Sequence, residues 1–225
     1  CKEFSWIFTN EKIPSRDPNR HMARQYLEFA EYLGVETGPP EFRLKIPESA
    51  RRSAGNLLPA SRRGGKMIAF NIGAAKPANR WPLKHWIALI DMVLSGTDLF
   101  IAITGGPADR AGSAPLEESA RDPERIFNAT GLTSLPELGA LFLECRLVIS
   151  GDTGPMHIAS ALGVPTLGIF GPADFHRTGP FNHLHLVITS PADCAPCGLR
   201  RCRSNRCMEE ISPALVFNRA REFID

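Results

Sequence analysis

Leu147-Val-Ile-Ser-Gly-Asp-Thr-Gly-Pro-Met-His157-Ile-Ala-Ser-Ala-Leu-Gly-Val-Pro-Thr-Leu-Gly-Ile-Phe-Gly-Pro172 is the stretch whose reading decides the fold. Two short apolar runs, 147–149 and 164–170, bracket a glycine-rich turn and a run of small or apolar residues. Continuous apolar runs of this length suit strands buried on both faces of a parallel sheet. The segment therefore reads as strand, turn, helix, strand. At the turn, Asp152, Thr153 and Gly154 stand where a helix begins. Unpaired backbone N–H groups and the helix dipole favour an anion there, and a diphosphate is of the right size and charge. The same residues also read as an ordinary N-cap with a flexible turn, and spacing does not separate the two. His157 follows Thr153 by four residues, about one helical turn, on the side of the anion site. A histidine in that position suits contact with a phosphate or acceptor, although a lone histidine there is more often a half-buried structural residue.

Working outward, the same alternation continues upstream. Strands are expected over 66–72, 99–104, 126–129 and 146–150, with helices over 83–94, 109–120 and from a Ser134 cap through Leu143. Pro82 suits the first turn of the helix it precedes. Strands alternating with helices at this spacing imply an α/β, Rossmann-like parallel sheet with right-handed crossovers and helices on both faces. Ligands of such sheets sit beyond the carboxyl ends of the strands, which here means 71–75, 104–107, 131–134 and 150–154. Earlier in the chain, one amphipathic helix is expected over 17–34 after an Asp17-Pro18 signal, then a short strand over 42–46, then a linker rich in Pro, Gly and Arg through Gly65. After Pro172 a loop, a strand over 184–188 and a final amphipathic helix over 213–224 are expected. That last helix has no evident partner in the sheet's own period, and it is expected to pack back toward whatever precedes residue 1.

The 225 residues are 43% hydrophobic and 22% charged, the balance of a globular protein, and no run is long enough to span a bilayer. A net charge of +2 argues against a general nucleic-acid partner. The chain opens at Cys1 with neither a methionine nor a signal-peptide pattern, so a fragment is expected.

Several motifs follow one another in a particular order: Gly73 through Arg80-Trp81-Pro82, Gly105-Gly106-Pro107, Leu132-Thr-Ser-Leu-Pro-Glu-Leu138, Asp152-Thr-Gly-Pro-Met-His157, and Phe170-Gly-Pro172. From about Lys66 onward the chain thereby resembles the carboxyl-terminal half of glycosyltransferase family 9, the ADP-heptose:lipopolysaccharide heptosyltransferases. The resemblance implies a GT-B architecture, in which two Rossmann-like domains face each other across a cleft. Residues 1–65 would be the tail of the amino-terminal domain and the linker, 66–210 the nucleotide-sugar-binding domain, and 211–225 a helix returning toward the first domain. It also implies diphosphate contacts at Asp152, Thr153, Gly154 and His157, and adenosine near Leu132, Thr133 and Asp109. The family's phosphate-binding lysine position is Asn79 here, which leaves Arg80 or Lys76 to supply the charge. Taken alone, Arg80 reads as a solvated surface residue. The general base is expected in the amino-terminal domain, so residues 1–225 alone are expected to be inactive, with His157 and Arg80 in supporting roles. Implied partners are an ADP-heptose-like donor and a lipid-linked saccharide acceptor, met from the cytoplasm by peripheral association with the inner face of the inner membrane. No catalytic cofactor is required.

Cys194, Cys197, Cys202 and Cys207 form C-x2-C-x4-C-x4-C, four thiols within fourteen residues. A tetrathiolate zinc or iron–sulfur site, two disulfides, or four unrelated thiols would each account for them. The interleaved Arg200, Arg201, Arg203 and Arg206 would offset a tetrathiolate's negative charge or meet an anionic acceptor. Beside the transferase reading stand a non-catalytic nucleotide-sugar-binding module and a small Cys/Arg-rich nucleic-acid-binding protein. The near-neutral charge weighs against the second of these.

Overall fold

The computed structural model describes residues 7–11, 13, 16–17, 19–42, 44–58 and 66–224. Cys1, Pro18 and positions 59–65 of the expected linker lie outside the described residues. The chain divides into two units, Cys1–Glu41 and Phe42–Asp225. In the first, helix α1 (Met22–Tyr32) starts where His21 Nδ1 accepts the Ala23 amide at 3.2 Å. Its buried Glu28 accepts from the Arg16 amide at 3.1 Å. Tyr26, Phe29 and Leu33 are exposed.

In the second unit, helix α2 (Glu48–Leu57) is followed by strand β1 (Met67–Asn71), helix α3 (Leu83–Gly96), strand β2 (Phe100–Thr104) and helix α4 (Arg110–Glu118). Next come strand β3 (Ile126–Asn128), helix α5 (Leu135–Phe142), strand β4 (Cys145–Gly151), helix α6 (Gly154–Ala161) and strand β5 (Thr166–Phe170). The unit ends with α7 (Phe175–Thr178), strand β6 (Ile188–Thr189), α8 (Arg206–Glu209) and α9 (Pro213–Ile224). The strands form one parallel sheet in the order β3-β2-β1-β4-β5-β6. The two halves wind outward from β1 and β4, which is the Rossmann pattern the sequence implied.

All five residues of β1 are buried, and they alternate between two apolar layers. Ile68 and Phe70 join Trp86, Leu89 and Val216 on one face, while Met67 and Ala69 join Leu141, Phe142 and Ala159 on the other. This alternation with both faces covered is why the strand reads as an unbroken apolar run.

Four expectations need correction. Of the strand expected over 42–46, the described residues 42 and 44–46 join no strand, and Phe42 and Leu44 are exposed; position 43 lies outside the described residues. The expected linker contains α2, whose narrow stripe of Ala50 and Ala54, followed by Leu58, is buried as α2 packs on α5. Residues 44–58 accordingly fall in the second unit, which begins at Phe42. The strand expected over 184–188 is instead a 3-10 segment, Phe181–Leu186, with only Ile188–Thr189 joining the sheet. Finally, α9, which had no evident partner in the sheet's own period, has one within this unit. It packs on α3 and β4, with Val216 and Ala220 fully buried in the core layer that holds Trp86.

Candidate nucleotide-sugar cleft

β2 and β1 end in the polar residues Thr104 and Asn71, and β4 carries Ser150 one residue before its end; register sets them side by side, Thr104 beside Asn71 and Asn71 beside Ser150. All three are buried. Thr104 Oγ1 donates to Asn71 Oδ1 at 3.3 Å, and Asn71 Nδ2 donates to Ser150 Oγ at 3.0 Å and to Thr153 Oγ1 at 3.2 Å. Buried polar atoms are costly unless paired, so this row fixes the Asp152–Thr153 turn to the end of the sheet. Sequence reasoning missed Asn71, Thr104 and Ser150 as positioning residues. The available signal was a polar residue at the carboxyl end of each of three apolar strands.

Thr153 is the N-cap of α6. It has extended φ and ψ of −148° and 162°, and its side chain accepts from the Met156 amide at 3.4 Å. The His157 amide donates to the Thr153 carbonyl at 3.4 Å. Pro155 has no N–H, so Gly154 supplies the remaining donor of the first turn. A Cβ built on Gly154 meets nothing within 4 Å. The two readings of the turn are therefore compatible, since a side-chain cap and an open anion site use different amides.

The loop after β1 reaches across the strand-order reversal to this turn. Its short 3-10 segment, Pro77–Asn79, buries Asn79, whose Nδ2 donates to Asp152 Oδ2 at 3.0 Å and to the Asp152 carbonyl at 3.2 Å. Gly151 permits the approach, because a Cβ there would lie 2.9 Å from the Asn79 carbonyl oxygen. Lys76 Nζ is 3.6 Å from Asp152 Oδ2. Arg80 is held elsewhere, with Nη2 2.8 Å from Asp109 Oδ1 and Nε donating to the Ala74 carbonyl at 3.2 Å. Asp109 Oδ2 also accepts the Gly106 amide at 2.9 Å. A Cβ on Gly73 would collide with that carboxylate, so glycine here lets the loop after β1 close on Asp109 without displacing its side chain.

Together these loops line an open cleft of about 550 Å³ at the carboxyl ends of the strands. Lys76, Arg80, Asp109, Asp152, Thr153, Gly154 and His157 all line it. Leu132 and Thr133 are not among its lining residues, and Leu132 lies exposed on the turn after β3. Arg80 and Asp109 also border a second cavity of about 390 Å³ with Trp81, Trp86 and Asn205. The four clustered cysteines are free thiols, three exposed and Cys207 buried. Among the described residues no three His, Cys, Asp or Glu side chains stand close enough to hold a metal ion.

A family model described as glycosyltransferase family 9 (heptosyltransferase) matches residues 2–208. The chain belongs to glycosyltransferase family 9. The match takes in residues ahead of Lys66 as well as the domain that carries the motifs. Among the relatives of this family 9 chain is the lipopolysaccharide core heptosyltransferase OpsX of Haemophilus influenzae, 29% identical over 189 residues, covering 84% of the chain and 53% of OpsX. Lipooligosaccharide heptosyltransferase 2 of Campylobacter jejuni is 26% identical over 210 residues, covering 91% of the chain and 64% of that protein. The chain thus spans between about half and two-thirds of these relatives' length. The crystal structure of a family 9 glycosyltransferase from Veillonella parvula superposes with a TM-score of 0.75 at 27% identity, covering 94% of the chain and 62% of that protein. The Escherichia coli heptosyltransferase WaaC with ADP gives 0.63 at 20% identity, covering 96% and 60%. At that identity WaaC supports the fold alone. No helix among the described residues is long and apolar enough to cross a membrane.

Proposed function

We propose that this chain is the donor-binding part of a heptosyltransferase that moves heptose from an ADP-heptose-like donor to a lipopolysaccharide core acceptor. The observation that carries the reading is the meeting of the Asp152–Gly154 turn with the Lys76–Arg80 loop over the strand-order reversal. Transfer from a nucleoside diphosphate leaves negative charge on the departing phosphate. A helix N-terminus and a cation fixed beforehand where that charge appears stabilise it in the transition state. In this reading the Gly154 amide, the α6 dipole and the charges of Lys76 and Arg80 fill that role, all of them at the one cleft. His157 lies one turn along α6 on the same cleft. The names of OpsX and the Campylobacter relative support heptose as the sugar and lipopolysaccharide as the acceptor class. A lipid-linked acceptor would be met by peripheral association at the cytoplasmic face of the inner membrane.

Titration with ADP tests the reading. Gly154→Val should leave the fold intact, because a side chain there enters open space, yet it should abolish measurable ADP binding by occupying the phosphate's approach. Unchanged ADP affinity by calorimetry in the folded variant would rule the assignment out.

A further inference from the structure

We propose that Arg200, Arg201 and Arg203 form a docking surface, beside the donor loop, for the carboxylate or phosphate groups of a saccharide acceptor. That the anion belongs to a saccharide rests on the proposed function; the surface itself rests on charge and placement. From Cys194 to Met208 the chain holds four arginines and neither aspartate nor glutamate. Arg206 is neutralised, with Nε 2.7 Å from Glu210 Oε1 and Nη2 3.7 Å from Asp193 Oδ2. Arg200, Arg201 and Arg203 are exposed, and their side chains enter no ion pair or hydrogen bond among the described residues. Three unpaired charges exceed the net +2 of the whole chain, so they form a local excess and not a share of a general basicity. All three are arginine, whose planar fork meets a carboxylate or phosphate through two parallel hydrogen bonds, which the ammonium of lysine does not do.

Placement separates this run from an ordinary solvated face. Gly198 and Asn205 bracket it, and both take the left-handed backbone region, with φ of 69° and 44°. Each turn is pinned. The Gly198 amide donates to the Pro172 carbonyl at 2.7 Å, and Asn205 Nδ2 donates to the Arg80 carbonyl at 3.1 Å. Between the turns, the Arg200 carbonyl accepts the Ala78 amide at 3.2 Å. Just ahead of the run, Ala195 and Pro196 line a cavity of about 240 Å³ with Phe170 and Thr189, the last residues of β5 and β6. The segment therefore crosses the carboxyl end of the sheet, from the β5 and β6 side to the loop after β1. That loop carries Lys76 and Arg80 into the donor cleft at the same end. Anionic groups held by the three arginines would bring an acceptor up to the loop that holds the donor. An anionic membrane would meet the same charge, but contact with the donor loop favours the acceptor itself.

The test uses the 225-residue chain and an acyl-free lipopolysaccharide core oligosaccharide that keeps its phosphate and carboxylate groups. Calorimetry should show binding that weakens as salt rises, and a neutral oligosaccharide of similar size should not bind. Exposed charge contacts are worth roughly twofold to fivefold each, so Arg200→Ala, Arg201→Ala and Arg203→Ala together should weaken oligosaccharide binding about tenfold or more. The triple variant should keep the parent's circular dichroism and ADP affinity, because none of the three side chains lines the cleft. No oligosaccharide binding by the parent chain, or equal binding by the triple variant, would overturn the proposal. So would a triple variant that loses binding to phosphatidylglycerol vesicles while its oligosaccharide binding is unchanged, which would make this face a membrane contact. Failure of the parent chain to bind ADP would count against the proposed function alone, and an arginine-dependent oligosaccharide result would stand beside it.

Discussion

At the scale of the residue, the cleft separates the two cations that could meet a diphosphate. Arg80 is committed at both ends of its guanidinium, to Asp109 and to the Ala74 carbonyl, whereas Lys76 contacts Asp152 at the turn itself. Lys76 thus stands nearer the α6 N-terminus by its contacts. A charge-assisted contact to phosphate is worth about 1.5–3 kcal/mol, so Lys76→Ala should lose about tenfold or more in ADP affinity. Arg80→Ala should cost less, because Arg80 is held at 2.8 Å by Asp109 and by the Ala74 carbonyl, whereas Lys76 has only the looser 3.6 Å contact to Asp152. Calorimetry on both variants checks this, and the reverse ranking would move the diphosphate to the Asp109 end. Asn71 makes the second residue-scale prediction. Its amide links Ser150 and Thr153 and its carbonyl oxygen accepts from Thr104, so Asn71→Ala strands buried polar atoms on both neighbours. The expected loss is about 1–3 kcal/mol, read as a lower denaturation midpoint at unchanged slope, with weaker ADP binding because Thr153 is no longer positioned.

At the scale of the element, α9 shows how a helix with no sequence partner becomes part of a core. Its Val216, Ala220 and Ile224 recur at four-residue spacing and form one stripe, buried against α3 and β4. Val216 is fully buried, so Val216→Ala should destabilise the domain by about 1.5–3 kcal/mol. Denaturant unfolding of the variant tests this; a change below about 0.5 kcal/mol would mean that α9 is not part of the cooperative unit. The helix α2 makes the complementary point. Its sequence, ESARRSAGNL, has a weak apolar stripe of two alanines, and its docking on α5 supplies what helix propensity alone does not. Gly139 of α5 lets Ile46, just ahead of α2, come close; a Cβ there would sit 2.6 Å from Ile46 Cδ1.

At the scale of the whole molecule, the described residues hold one sheet, and its cleft opens at one end of that sheet. Both cleft carboxylates are engaged, Asp109 with Arg80 and Asp152 with Lys76 and Asn79, so neither stands ready to take an acceptor proton. Residues 1–225 should therefore bind ADP but transfer no sugar when mixed with ADP-heptose and a lipid-linked acceptor. Positioning two substrates against each other is worth about 7–11 kcal/mol in favourable cases. Measured turnover would place the base within these residues, and His157→Ala would then be the first variant to assay.

The sequence by itself determined the alternation of strands and helices from β1 to β5, the parallel sheet, and the glycine-rich turns that became the cleft. Each of these is written in local periodicity, because a strand buried on both faces must be apolar throughout and a turn under an anion must be small. It also named Lys76, Arg80, Asp109, Asp152, Thr153, Gly154 and His157, which the strand-order reversal brings to one place. Only the tertiary structure decided the rest: that Asn71, Thr104 and Ser150 stand in register, that α2 is a helix, that α9 belongs to its own domain, and that Arg80 pairs with Asp109. Those outcomes depend on partners tens of residues away in the chain. Hydrophobic spacing shows which face of an element must be covered, but what covers it is settled only when the elements pack.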